Sequence, residues 1–220
     1  DKQQQKILKN YINEIKENNP NLTDEEQADL KNNIVYMSEL ANYYKEIFTL
    51  FCNHALRQLQ CIFFRKSEFN SEYLLRYAVK SFNKQNTHKR LSDMNFVIDN
   101  QNVKYSVIGD KKLMEYFIDS LLSAVLELEE PGNIYMQCCE KEHFIEFSLT
   151  DTRRTFSYDY IQRMFHPDSM IYDVDTDRLI GYQYLICKQI IREHDEYGGR
   201  RGCRVYVENI DENNLGVKYV

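Results

Sequence analysis

Between residues 109 and 128, apolar side chains recur every three or four positions. Leu113, Phe117, Leu121, Val125 and Leu128 form one stripe, which Ile118 and Leu122 widen. That spacing predicts a helix with one face in a core. Asp110 stands where an N-cap belongs, its carboxylate able to accept from the free N–H groups of the first turn. The same period appears upstream. Ile7, Leu8, Tyr11, Ile12 and Ile15 stripe a helix over 1–18, which Pro20 and Asn21 end. Thr23 with Glu26 reads as a capping box. It opens a long helix over about 24–65, with Met37, Leu40, Tyr44, Phe48, Phe51, Ala55, Leu59 and Ile62 as a sustained seam. A helical hairpin with such a seam predicts a partner helix pair, and so a homodimer through a four-helix bundle.

Downstream, Leu74, Leu75, Ala78, Val79 and Phe82 mark a helix over about 70–89. Short apolar runs at 94–98 and 103–108 flank the turn residues Asp99-Asn100-Gln101-Asn102 and predict a hairpin. Pro131-Gly132-Asn133 reads as the turn that ends the 109–128 helix. Strands over 134–139 and 143–149 follow, then a helical stretch near 158–165, a polar loop over 166–178, a helix over 180–194 and strands near 203–207 and 217–220. Helix, two strands, helix, two strands, loop, helix, two strands is an α+β order.

Composition narrows the function. The 220 residues are 43% hydrophobic, with 17 tyrosines and no tryptophan, which describes a folded protein. The formal charge of −6 argues against direct nucleic-acid binding. Arg200, Arg201 and Arg204 sit among acids and read as a solvated face. No run approaches the roughly 20 apolar residues that span a bilayer, and no signal peptide is visible. Six cysteines (52, 61, 138, 139, 187 and 203) form no CxxC and no ligand spacing, so they read as reduced, mostly buried thiols of a cytoplasmic protein. Cys138 and Cys139, adjacent in a strand, should point to opposite faces. A chain that opens on Asp1-Lys2-Gln3 without methionine reads as part of something larger.

The acidic cap, the leucines and "SLLSAV" of the 109–128 helix, with the element order after it, resemble the histidine kinase-type ATPase domain, the family shared with gyrase. The resemblance covers about residues 67–220. It implies a two-layer α+β domain, a mixed sheet with helices on one face, after a helical dimerisation arm over 1–66. The family's first motif sets two asparagines four residues apart, the second holding magnesium. Ser120 and Ala124 stand at those positions, and alanine has no oxygen for a cation that wants hard ligands. Asp119 points about 100° away round the helix. The second motif, Asp-x-Gly-x-Gly, lets the aspartate accept from adenine. Asp151 is present, with Arg153 and Thr155 in the glycine positions, where Arg153 would fill the pocket or touch a phosphate. Asp151 also reads as an ordinary strand-exit aspartate. In the third motif Leu179, Gly181 and Gln183 stand at the three glycine positions, so only Gly181 survives at the helix start that would face phosphates. Asp168, Asp173, Asp175 and Asp177 would repel triphosphate there, and their spacing is not that of a calcium loop. Residues 194–201 resemble the family's His-Gly-Gly turn. Asn53-His54-Ala55-Leu56-Arg57 resembles the phosphoacceptor box, but His54 lies beside the seam rather than at its centre, and too close to the ATPase-like part.

Three functions follow. The first is a degenerate two-component signalling module that works by dimerisation and partner contact, without metal and with little or no ATP. The second is an active histidine kinase that binds ATP and magnesium through atypical groups. The third is an ATP-independent phosphotransferase that uses His54. The first is the reading preferred here. It places the chain at the cytoplasmic, transmitter end of a larger sensor, either membrane-anchored or free, with a response regulator or downstream regulatory domain as partner.

Overall fold

The computed structural model describes residues 10, 12–15, 17, 19, 23–58, 64–89, 94–98, 105–128, 130–142, 144–173, 178–199, 201–211 and 214–220. The chain divides into two compact units, Asp1–Ile62 and Phe63–Val220.

In the first unit, residues 10, 12–15 and 17 are helical, and helix α1 spans Asp24–Gln58. The capping box is present: Thr23 Oγ1 accepts from Glu26 N at 3.3 Å, and Thr23 N donates to Glu26 Oε2 at 2.8 Å. Met37, Tyr44 and Phe48 of the expected seam are exposed, at 69%, 50% and 70%. Leu59 and Ile62 lie outside the described residues, as do the side chains of Phe51 and Ala55.

The second unit contains β1 (Lys66–Asn70), α2 (Ser71–Lys89), β2 (Met94–Ile98), β3 (Ser106–Asp110), α3 (Lys111–Val125), β4 (Gly132–Glu140) and β5 (Ile145–Asp151). After these come α4 (Tyr158–Arg163), a 3-10 turn (Pro167–Ser169), β6 (Ile171–Asp173), β7 (Arg178–Ile180), α5 (Tyr182–Tyr197), β8 (Val207–Asp211) and β9 (Asn214–Tyr219). Five strands form a mixed sheet in the order β2-β4-β5-β9-β8. In β4, Ile134, Met136 and Cys138 are buried while Tyr135 is exposed, the alternation of a sheet with one covered face. That face packs on Leu74 and Ala78 of α2, Leu122 and Val125 of α3, and Tyr184 and Cys187 of α5.

The expected hairpin between 94–98 and 103–108 does not form. β2 instead pairs in parallel with β4, Met94 opposite Gly132, while β3 pairs antiparallel with β1, Asn70 opposite Ser106. A polar tetrapeptide between two apolar runs marks a change of direction but not a partner. Here α3 is the crossover that lets β2 and β4 lie parallel. Strand β1 carries mostly exposed residues and gave no apolar run to read. The polar loop over 166–178 contains the 3-10 turn and β6, which pairs with β7. Gly132 opens β4 rather than ending α3 in a turn.

Among the described cysteines, Cys138 and Cys187 are buried, Cys52 and Cys139 half-buried and Cys203 exposed. Cys61 lies outside the described residues. Burial pushes the Cys138 thiol up to about 11 and raises that of Cys187 well beyond its ordinary value. Partial desolvation and the Asp195 carboxylate raise that of Cys203. Because the thiolate is the nucleophile, brief alkylation of the native chain should modify Cys203 slowly and spare Cys138 and Cys187. Mass mapping of either buried thiol as modified before unfolding would contradict this packing.

Candidate functional site

Helix α3 leads to the site. Asp110 caps it as expected, Oδ1 accepting from Lys112 N at 3.0 Å and Leu113 N at 3.2 Å. At its other end the last carbonyls have no partner within the helix and carry the negative end of its dipole. Strand β5 brings Asp151, fully buried, to that end. Two arginines follow it, and both turn back.

Arg153 donates from N and Nε to Asp151 Oδ1, at 3.1 and 2.7 Å, and from Nη2 to Oδ2 at 3.0 Å. Arg154 Nε donates to Oδ2 at 2.9 Å. An ionised carboxylate offers about four lone-pair sites, and four donors fill them. The guanidinium groups then reach the helix end. Arg153 donates to the carbonyls of Val125 (2.8 Å), Leu128 (2.7 Å) and Glu130 (3.2 Å). Arg154 donates to those of Val125 (2.8 Å) and Ala124 (3.3 Å). The Arg153 side chain is 1% exposed. This arrangement fastens a helix C-terminus to a strand end.

The other expected site residues do not converge on a cation. Ser120 and Ala124 are both buried. Asp119 faces α2 instead, accepting from Tyr77 Oη at 2.8 Å and from Ser81 Oγ. Gly181 is the N-cap of α5, with φ 90° and no side-chain cap bond; that conformation is why glycine stands there. Gln183 is buried and donates to Glu127 Oε1 at 2.5 Å. Asp168 is exposed beside His166 Nδ1 at 3.1 Å. The side chains of Leu179 and Asp173 lie outside the described residues, as do Asp175 and Asp177. So does the side chain of His54, whose backbone is in α1. Arg154 was not singled out from the sequence. Its signal was a second cation three residues after an aspartate at a strand exit.

At the positions where the resemblance would put an adenine contact and a magnesium ligand, the Asp151 carboxylate already accepts from four donors and Ala124 carries no side-chain oxygen.

The second unit has the fold of sensor histidine kinase catalytic domains. The nucleotide-free catalytic domain of histidine kinase ThkA matches at 21% identity and TM-score 0.51, over 70% of this chain and 94% of that one. The Acinetobacter baumannii histidine kinase AdeS matches at 12% identity and TM-score 0.57, over 97% and 91%. ThkA crystallised in complex with the response regulator protein TrrA matches at 19% and TM-score 0.61, over 97% of this chain and 55% of that one. No family model and no curated protein matches the chain.

Proposed function

We propose that the chain is a two-component signalling module whose ATPase-like unit works without ATP. It passes a signal by shape and contact from its helical arm to a response regulator or a downstream regulatory domain. The observation that carries this reading is the saturation of Asp151 by Arg153 and Arg154. A purine amino group would have to displace a buried, multiply bonded guanidinium to reach that carboxylate. The exposed Met37, Tyr44 and Phe48 on α1 support a homodimer formed through the arm. ThkA, which shares the fold, is a histidine kinase crystallised with a response regulator, and this supports the partner class.

The test is a thermal titration with a non-hydrolysable ATP analogue and magnesium. A ligand at 100 times its Kd stabilises by about 2.7 kcal/mol, which for a chain of this size raises the melting temperature by roughly 5–10 °C. The expected result at millimolar analogue is no shift. A saturable rise of several degrees would sink the proposal and favour the active kinase, with Gly181 at the start of α5 as its surviving phosphate contact.

A further inference from the structure

The opposite end of α3 holds a second junction, made by residues other than those around Asp151. Phe64 and Arg65 are the first described residues of the second unit. The Phe64 ring meets His194 edge-on, with centroids 4.9 Å apart, and lies 6.1 Å from Tyr197. Arg65 N donates to Asp110 Oδ2 at 2.8 Å, while Oδ1 of the same carboxylate caps α3. Asp110 N donates to His194 Nε2 at 3.0 Å, and His194 Nδ1 donates to Ile190 O at 2.8 Å. A backbone N–H can only donate and a carbonyl can only accept, so the ring is the neutral Nδ1–H tautomer. Asp110 and His194 are both buried, at 5% and 6% exposure. One residue, Asp110, therefore joins three parts: the incoming chain through Oδ2, the first turn of α3 through Oδ1 and the last turns of α5 through its N–H.

We propose that Phe64 and Arg65 are a latch, seated on Asp110 and His194, through which a change in the preceding chain loosens the adjoining ends of α3 and α5 while the sheet stays intact. This rests on the reading that the unit signals by shape, and it names the place where the signal enters. The latch is the part that has to move. Among the described residues it is held by one backbone hydrogen bond from Arg65 and two ring contacts of Phe64, whereas the sheet is held by its strand ladders and the core, so local opening belongs at the latch.

The experiment is amide hydrogen exchange on the full 220-residue chain, without nucleotide or partner, comparing Phe64→Ala and Asp110→Asn with the unaltered protein. With Phe64→Ala, amides 111–114 and 194–197 should exchange at least about 10-fold faster while those of β4 and β5 keep their rates. Unchanged helix ends, or equal acceleration across the whole unit, would overturn the latch, the second because Phe64 would then be ordinary packing. Asparagine caps helices as well as aspartate does, but its amide nitrogen cannot accept from Arg65. With Asp110→Asn the Arg65 amide should therefore lose protection while the first turn of α3 keeps it. Loss of α3 protection with Arg65 still protected would overturn the assignment. Binding of an ATP analogue would defeat the proposed function and leave these exchange results standing, so the two failures are separable.

Discussion

Replacing Arg153 by alanine should destabilise the second unit by about 3–5 kcal/mol, the cost of breaking a buried ion pair from one side. The Asp151 carboxylate, fully buried, would keep only the single bond from Arg154 among its present side-chain donors. The carbonyls of Leu128 and Glu130 would lose the donor that Arg153 supplies. In urea the midpoint should fall, and on heating the melting temperature should drop by roughly 10 °C. Arg153→Lys should recover little of this. An ammonium group is a point charge, whereas the planar fork reaches Asp151 and the three carbonyls at once. A loss below about 1 kcal/mol for Arg153→Ala would mean that the arginine is a surface group, and Asp151 would again be open to a base. A hydrophobic replacement of both partners, Asp151→Leu with Arg153→Met, should cost less than the sum of the single changes.

The same residues show what was legible in the sequence. Local chemistry read correctly. Asp110 caps α3, Thr23 and Glu26 form their box, and Phe117, Ile118, Leu121, Leu122 and Val125 of the stripe pack into the core. Each of those depends on neighbours within about four positions. Pairing read poorly, because the strands that meet are not neighbours in the chain. β2 finds β4 across α3, and β1 finds β3 across α2. At the site, the sequence offered Asp151 and two lost glycines, and left open whether Arg153 would fill the pocket. It could not give the direction of the guanidinium, because its acceptors are backbone carbonyls at 125, 128 and 130, positions whose side chains carry no information about them. The Asp110–His194 junction was hidden for the same reason: the histidine meets backbone on both sides, 84 residues away at one of them.

Gly132 carries the other large expected effect. Its φ is 155°, in the range L side chains rarely adopt, and a methyl group there would sit 2.4 Å from Arg153 Cγ and 2.9 Å from Cδ. The arginine stem cannot give way, because its far end is fixed to Asp151 and to three carbonyls. Gly132→Ala should therefore incur two costs, backbone strain and overpacking, each about 1–3 kcal/mol. Only the second depends on Arg153. In an Arg153→Ala background the obstructing atoms are gone, so the same glycine change should cost at least about 1 kcal/mol less than in the native chain, a coupling well above the roughly 0.5 kcal/mol scatter of independent sites. Urea denaturation of the native chain, both single variants and the double variant measures it. Additivity of the two single losses would place the Arg153 stem somewhere other than over Gly132. The guanidinium could not then hold its bonds to Asp151 and the α3 carbonyls, and this aspartate would have acceptor capacity left for a nucleotide.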